Sequence, residues 1–144
     1  MKHSITTQIT IQAPAEKVWN ILMDFEAYPQ WNPFVSGIEG GKKEKEKLKV
    51  QLPGMKFKPT VVKSIRNEKF EWLGHLLFKG LFDGNHCFHI EKIDDQSCRF
   101  IHQEHFSGIL VKLFLKKLNG ETLEGFKAMN EALKKRAETK KQAE

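Results

Sequence analysis

The sequence predicts an α+β fold with a first strand, helices, a set of antiparallel strands and a long C-terminal helix. Three observations support this prediction. The first residues alternate in polarity around Ile5, Ile9 and Ile11, as a strand does, and helical spacing follows directly. Several short alternating stretches come next, separated by turn residues. The C-terminal part instead repeats its apolar residues at helical spacing.

Two short helices are expected after the first strand. Pro14 suits the first turn of a helix, where a missing N–H is not needed. Val18 and Leu22 then recur at helical spacing, and this helix is expected to end near residue 23 or 24. A second short helix is expected over residues 26–30, within a segment rich in proline and aromatic residues. That segment, 24–34, is predicted to be rigid and turned.

The middle of the chain predicts four or five short strands. Leu48, Val50 and Leu52 alternate with polar residues, which is typical of a half-buried strand. Pro59 falls inside the apolar stretch 56–66 and therefore indicates an edge strand or a bulge. The remaining strands are predicted at 70–77, 82–93 and 98–106.

The last two strands are predicted to form a hairpin whose register follows from the side-chain pattern. Opposed residues must share a face of the sheet, and a three-residue loop at 94–96 meets that condition. It places Ile90 opposite Phe100, Phe88 opposite His102, His86 opposite Glu104, and Glu91 opposite Arg99. A five-residue loop would instead pair His86 with Phe106, and it is the less favoured alternative.

The C-terminal helix is predicted from one apolar stripe with charged residues opposite. The stripe consists of Leu118, Thr122, Phe126, Met129 and Leu133. The Asn-Gly pair at 119–120 is expected to break or bend the helix, separating 109–118 from 121–141. There is no repeat or linker, so residues 1–144 are predicted to form one domain.

The net charge of +6 does not by itself indicate a nucleic-acid partner. No nucleic-acid motif accompanies the lysines, so we expect solvated surfaces and no nucleic acid. Cys87 and Cys98 have no paired spacing, and no apolar stretch is long enough to cross a bilayer. The N-terminus lacks the apolar centre of a signal peptide. We therefore expect a cytoplasmic protein, either monomer or homodimer.

Several stretches together resemble the START-related SRPBCC superfamily, in its polyketide cyclase/dehydrase-like group. These stretches are 11–19, 24–34, 70–74, 86–88, 102–108 and 126–134. The resemblance implies a helix-grip fold, in which a curved antiparallel sheet wraps around a long C-terminal helix and leaves a cavity for an apolar small molecule. The family spans cyclases, lipid carriers, hormone receptors and chaperone activators, so the fold does not specify the function.

His86, His102 and Glu104 are the candidate polar groups inside this cavity. They could anchor a ligand headgroup or form a general acid–base pair, which makes them the candidate catalytic residues. They could equally form an internal hydrogen-bond network with no further role. Two His and one Glu would suit zinc, but the spacing gives no helical ligand pair. We therefore expect no metal and no other cofactor.

The candidate ligand-binding residues combine these polar groups with aromatic and apolar side chains. Aromatic residues at such spacing are more often plain core, so this assignment competes with a packing role. Trp31 and Phe34 are predicted to cover the mouth of the cavity. The full candidate set is Trp31, Phe34, Phe57, Trp72, His86, Phe88, Phe100, His102, Glu104, Phe106, Phe126 and Met129.

Three functions remain open from the sequence. The favoured one is a carrier or sensor that binds a hydrophobic or amphipathic small molecule. The second is a cyclase- or dehydratase-like enzyme in which the His/Glu pair moves protons. The third, less favoured, is a membrane-surface or protein-interaction module that uses the basic C-terminal helix. No nucleophile elbow, phosphate-binding loop or dinucleotide motif is present, so standard hydrolase, kinase and dehydrogenase chemistry has no support.

Overall fold

The strands and helices come in the predicted order in the computed structural model, which describes residues 1–139. Within these residues, seven strands follow the first two helices, where four or five were expected. The strands are β1 (Lys2–Ile11), β2 (Gly37–Gly40), β3 (Leu48–Leu52), β4 (Met55–Phe57), β5 (Thr60–Ile65), β6 (Lys69–His75), β7 (Asp83–Asp94) and β8 (Ser97–Ser107). The helices are α1 (Ala15–Met23), α2 (Tyr28–Trp31), α3 (Val111–Lys117) and α4 (Leu123–Glu138). A 3-10 turn, Phe25–Ala27, precedes α2, and a π-helical turn, Leu118–Thr122, joins α3 to α4.

The strands form two antiparallel sheets. The larger has the order β1-β8-β7-β6-β5, and the smaller has the order β2-β3-β4. Pro59 separates β4 from β5, and the backbone N–H of Leu48 donates to its carbonyl across 2.9 Å. β5 lies at an edge and has a bulge between Val61 and Lys63, so the expectation from Pro59 is confirmed.

The predicted register of the β7–β8 hairpin is confirmed for every pair named above. The loop itself differs from the prediction, because Asp94 pairs with Ser97 and a bulge separates Lys92 from Asp94. Asp94 Oδ1 accepts hydrogen bonds from the Gln96 backbone N–H at 2.8 Å and the Ser97 hydroxyl at 2.9 Å. These bonds tighten the loop to two residues, and the bulge absorbs the extra residue without shifting the register.

The C-terminal helix runs without interruption from Val111 to Glu138. The Asn-Gly pair at 119–120 does not break it, because the chain changes to π-type bonding over Leu118–Thr122 and continues. Leu118, Phe126, Met129 and Leu133 are buried as the apolar stripe predicted. The helix was predicted to reach residue 141, but Thr139 already has an extended backbone, and residues 140 and 141 lie outside the described residues. Within residues 1–139, no helix is both long and apolar enough to cross a bilayer.

The hydrophobic core lies between the larger sheet and the helices. Its largest fully buried side chains include Tyr28, Phe70, Phe88, Phe100 and Phe126. Tyr28 is anchored there because its hydroxyl donates to the Leu22 carbonyl across 2.8 Å. This contact holds α2 against α1 and directs the following loop towards α4, where it contributes Phe34 to the site described next.

Candidate functional site

A partly open cavity of about 210 Å³ lies between the C-terminal helix and both sheets. Most of its lining side chains are apolar, and the lining residues come from β3, β4, β6, β7, β8, α3, the π-helical turn, α4 and the adjoining loops. The lining residues are Pro33, Phe34, Val50, Leu52, Pro53, Met55, Phe57, Pro59, Trp72, Gly74, Leu76, Phe82, Gly84, His86, Glu104, Phe106, Phe114, Lys117, Leu118, Glu121, Thr122 and Gly125. The cavity therefore offers a mainly hydrophobic environment with a few polar groups, as small-molecule sites do.

His86 and Glu104 form the polar part of the cavity wall on the larger sheet. They are directly opposed on β7 and β8, and His86 Nδ1 lies 2.9 Å from Glu104 Oε1. The His86 side chain is 2% exposed and that of Glu104 is 15% exposed. Trp72 stacks on the His86 ring with centroids 4.7 Å apart, which fixes the plane of the imidazole. The second carboxylate oxygen, Oε2, hydrogen-bonds no residue in the described range 1–139.

The pair continues into the core as a chain of hydrogen bonds. His86 Nε2 lies 2.7 Å from His102 Nε2, and His102 Nδ1 lies 3.0 Å from Asn130 Oδ1 on α4. Asn130 Nδ2 donates to the Thr7 hydroxyl at 2.8 Å, and that hydroxyl donates to the His102 carbonyl at 3.0 Å. The chain thus links the cavity to β8, α4 and β1.

The partners of this chain determine where its protons lie. The Thr7 hydroxyl has one proton, which goes to a carbonyl, so Asn130 must present its NH₂ group to Thr7 and its oxygen to His102. His102 Nδ1 therefore carries a proton. If His102 is neutral, its Nε2 accepts, and His86 Nε2 must donate. One further proton then lies between His86 Nδ1 and Glu104, so this pair has no net charge.

Burial keeps His102 neutral. The side chain is completely buried, and desolvation lowers its pKa well below the ordinary value of 6.5. The charge of a protonated His86 lowers the pKa further, whereas hydrogen bonds that His102 donates to Asn130 and to the Phe126 backbone oppose the shift. The Phe126 ring also stacks on the imidazole, with centroids 4.0 Å apart and planes within 2°. His102 therefore acts as a fixed hydrogen-bond acceptor for His86.

Two glycines make room for this arrangement. A Cβ atom on Gly84 would collide with Glu104 Oε2, so the glycine leaves the space that the carboxylate occupies. A Cβ atom on Gly125 would collide with the Phe34 ring. Phe34 can therefore pack against α4, with its ring 5.3 Å from that of Phe126, and form one wall of the cavity.

The structure divides the predicted site residues into three groups. The residues that line the cavity are Phe34, Phe57, Trp72, His86, Glu104 and Phe106. The residues that are buried in the core without lining the cavity are Phe88, Phe100, His102, Phe126 and Met129. Trp31 belongs to neither group, since it is half-buried against Tyr28 at a ring distance of 5.4 Å and does not reach the cavity. Of the two residues predicted to cover the mouth, Phe34 lines the cavity and Trp31 does not.

Asn130, Thr7 and Gly84 were not identified from the sequence. Asn130 is one residue away from Met129 in the apolar stripe of α4, and a buried amide at such a position needs partners. That signal could have been recognised in the sequence. Thr7 and Gly84 give no comparable signal, because their roles depend on what lies opposite them. Within the described residues, no group of three potential ligands could hold a metal ion.

Residues 2–138 match the family described as "Polyketide cyclase / dehydrase and lipid transport". This chain belongs to that family. The match spans both sheets and nearly all of the C-terminal helix, so the START-related resemblance found in the sequence is confirmed. A search of curated protein sequences gave no match.

Several solved structures have a fold similar to that of this family member. A hypothetical protein, jhp0584, from Helicobacter pylori has a TM-score of 0.80 and 19% identity, with 94% of this chain and 88% of that chain covered. A START superfamily protein from Mycobacterium smegmatis has a TM-score of 0.71 and 25% identity, with 94% and 97% covered. The Zhui aromatase/cyclase from a Streptomyces species has a TM-score of 0.73 and 13% identity, with 96% and 94% covered. The Helicobacter pylori and Streptomyces proteins are less than 20% identical to this chain, so their likeness shows the fold alone.

Proposed function

We propose that this protein binds a small amphipathic molecule whose apolar part fills the cavity and whose polar group meets Glu104. The observation that carries the proposal is a cavity with mainly apolar walls that contains one oriented carboxyl group. Apolar burial supplies affinity in such a site, and the few polar groups fix the orientation of the ligand. Membership of a cyclase and lipid-transport family supports the same proposal.

The volume of the cavity limits the size of the ligand. An apolar cavity of about 150 Å³ is large enough for benzene. The 210 Å³ found here therefore suits a single substituted ring or a short acyl chain. It lies below the roughly 300–1,000 Å³ that is typical of drug-sized ligands.

The protons of the site favour a neutral polar group on the ligand. The His86–Glu104 pair carries no net charge, so a charged ligand group beside it would find no counter-ion in the pair. The other charged lining residues, Lys117 and Glu121, are exposed to solvent on the C-terminal helix. Glu104 Oε2 has no partner among residues 1–139 and can accept a hydrogen bond from a hydroxyl or phenol. The shared proton stays between His86 Nδ1 and Glu104 Oε1, so Oε2 faces the ligand as an acceptor.

A series of 4-alkylphenols tests this proposal by titration calorimetry. Each added methylene should increase the affinity about fourfold until the chain fills the cavity, because burial of one CH₂ contributes about 0.8 kcal/mol. The matching alkylbenzenes should bind more weakly, since they leave Glu104 without a partner. Mass spectrometry of the native protein should also detect any small molecule that copurifies with it.

Two variants of the C-terminal helix give a matched control. Thr122→Phe places a large ring in the cavity wall and should abolish binding of the phenols. Ala128→Phe places the same ring on the exposed side of α4 and should leave binding unchanged. Equal affinities of both variants, or affinities that do not depend on alkyl length, would reject the cavity as the binding site.

Acid–base catalysis is a second candidate function, and the shared proton favours it. Glu104 and His86 hold one transferable proton, His102 fixes the orientation of His86, and Asn130 fixes that of His102. A base oriented by a third group is a recurring arrangement in enzymes. The site could therefore move a proton to or from a bound carbonyl compound, as a cyclase or dehydratase does.

Glu104→Gln separates the two functions. The amide can donate to His86 Nδ1 and keeps the shape of the carboxyl group, but it removes the transferable proton. A carrier should keep its affinity for a copurifying molecule within about fivefold, because the hydrogen bond has a neutral replacement. An enzyme should lose about 10²–10⁴-fold in turnover of that molecule. Unchanged turnover would exclude Glu104 as the acid or base.

A further inference from the structure

One end of the larger sheet exposes a group of apolar side chains. Leu77 is 86% exposed and Phe78 is 60% exposed, in the turn between β6 and β7. Ile109 is 75% exposed and Leu113 is 73% exposed, where α3 begins. These four side chains, called the apolar patch here, are half of the large apolar side chains exposed within residues 1–139. Clustered exposure of this kind marks interaction surfaces.

The two segments of the apolar patch are joined to each other. The Ile109 backbone N–H donates to the Gly80 carbonyl at 3.1 Å, and that of Leu110 donates to the Leu81 carbonyl at 3.0 Å. A Cβ atom on Gly108 would come within 2.6 Å of the Leu81 carbonyl oxygen, so this close approach depends on glycine. The two segments that carry the four side chains are therefore held side by side.

The backbone at Leu77 supports a role for the exposed turn. Leu77 has a φ of 64°, in the left-handed region that leucine rarely adopts. Asparagine or glycine would adopt this conformation more easily, and both would be more soluble at an exposed position. Position 77 therefore has a leucine although both its backbone conformation and its exposure to water disfavour a large apolar residue.

The surroundings of the apolar patch are positively charged. The segments 76–82 and 108–118 contain Lys79, Lys112, Lys116 and Lys117 and no acidic residue. Within residues 1–139, none of these lysines forms a salt bridge. The nearby Asp83 is buried, with its carboxylate bound to His75 and to the Gly80 backbone N–H. The first exposed acidic residue beyond the second segment is Glu121, one helical turn after Lys117. The two segments themselves therefore carry only positive charge.

We propose that the apolar patch docks on the surface of an anionic phospholipid bilayer. Apolar side chains surrounded by lysines match the interface of such a membrane, because the side chains enter the acyl region while the lysines meet the headgroups. A second copy of the chain fits less well, since a symmetric contact would bring the two sets of lysines together. This surface is separate from the basic C-terminus considered in the sequence analysis.

Docking in this orientation would bring the cavity to the membrane. Leu76, Phe82 and Phe114 come from the same two segments and line the cavity on their inner side. A ligand could then pass between the bilayer and the cavity without crossing bulk water. This consequence rests on the proposed ligand-binding function, whereas the docking itself does not.

Vesicle flotation tests the docking. The probe is a phosphatidylcholine vesicle with about one third phosphatidylglycerol, at low salt and at physiological salt. The wild-type protein should float with these vesicles and more weakly with pure phosphatidylcholine. The double variant Leu77→Asn with Leu113→Gln should bind at least about tenfold more weakly, because both side chains lose their contact with the acyl region. Asparagine tolerates the left-handed backbone at position 77, so this variant should fold.

Two control variants separate the patch from general effects. Ile65→Thr with Ile93→Thr removes exposed apolar residues from the ends of β5 and β7 that are remote from the patch, and this variant should bind like the wild type. A triple variant of the patch lysines should lose about fivefold per lysine, and a triple variant elsewhere should lose less. The patch triple is Lys79→Gln, Lys112→Gln and Lys116→Gln, and the remote triple is Lys56→Gln, Lys63→Gln and Lys135→Gln.

Three outcomes would overturn the proposal. One is no flotation of the wild type at low salt. Another is an equal loss in the two lysine triples, which would indicate nonspecific attraction by the net charge. The third is a dimer, measured by analytical ultracentrifugation, that Leu77→Asn with Leu113→Gln converts to monomer. That result would assign the patch to a second copy of the chain.

Discussion

His102→Gln tests the proton assignment on which the candidate site depends. His102 is fully buried between His86 and Asn130, and its pKa is held well below 6.5, mainly by desolvation. The folded protein should therefore keep this imidazole neutral as the pH falls below 6.5. The unfolded chain exposes the same imidazole, which then takes up a proton.

The sign and size of the effect follow from this difference. Below pH 6.5 the unfolded state binds one more proton than the folded state at His102, so acid favours unfolding. The free energy of unfolding should fall by about 1.4 kcal/mol per pH unit until the folded pKa is reached. Between about pH 6.5 and pH 5 the loss should approach 2 kcal/mol. Above pH 6.5 both states are neutral at this residue, and it contributes no pH dependence.

Urea unfolding at a series of pH values measures the difference. Acid also destabilises the wild type through carboxylates such as Asp94 and Glu138, whose hydrogen bonds lower their pKa. The variant retains these carboxylates, so subtraction of the two curves removes their contribution. The stability advantage of the wild type over His102→Gln should therefore shrink by about 2 kcal/mol over this pH range.

Parallel curves for the two proteins would refute the assignment, because His102 would then take up its proton in the folded state as well. Nitrogen chemical shifts of the imidazole give an independent check. They should show His102 protonated at Nδ1 and unprotonated at Nε2 throughout the range. The opposite tautomer would mean that Asn130 is oriented the other way, and the shared proton of the cavity pair would no longer follow.

Three further predictions concern other parts of the site. Gly84→Ala should push Glu104 away from His86 and lower the free energy of unfolding by about 1 kcal/mol. Gly74→Ala should not, because its Cβ atom would meet its nearest neighbour at an ordinary 3.4 Å, and equal effects of the two variants in urea unfolding would contradict this steric explanation. Thr7→Val should lower the free energy of unfolding by about 1–3 kcal/mol because it leaves the Asn130 amide without an acceptor, and Thr7→Ser should restore most of this loss. An unchanged stability of the valine variant would argue against the chain of hydrogen bonds. Burial raises the pKa of Cys87 to about 11, so iodoacetamide should alkylate this thiol at about pH 8 only after unfolding; rapid alkylation of the folded protein would show that it is accessible.

Much of the fold could be predicted from the sequence because strands and helices impose periodic patterns. The period of two in β7 and β8 placed His86 opposite Glu104 and Phe88 opposite His102, and the structure has the same pairs. The apolar stripe of α4 likewise identified the buried face of the helix. Turn residues gave the approximate positions of the strands. They did not show that the helix continues through the Asn-Gly pair at 119–120 as a π-helical turn.

The candidate site could be predicted only in part. Periodicity shows which face of a strand points inward, but it does not show whether an inward side chain meets a cavity or another side chain. Phe88 and Phe106 have the same pattern on their strands, yet Phe88 is packed in the core and Phe106 lines the cavity. The difference depends on where the second sheet and α4 leave space.

The sequence by itself determined the fold class, the hairpin register and the meeting of His86 with Glu104, because each follows from contacts between neighbouring strands or turns. Only the tertiary structure decided the direction of the hydrogen-bond chain, since Asn130 and Thr7 are 123 residues apart and meet only when α4 packs against β1. The same packing decided the size of the cavity and the space left by Gly84. Contacts between distant segments leave no periodic pattern in the sequence, and the chemistry of this site depends on them.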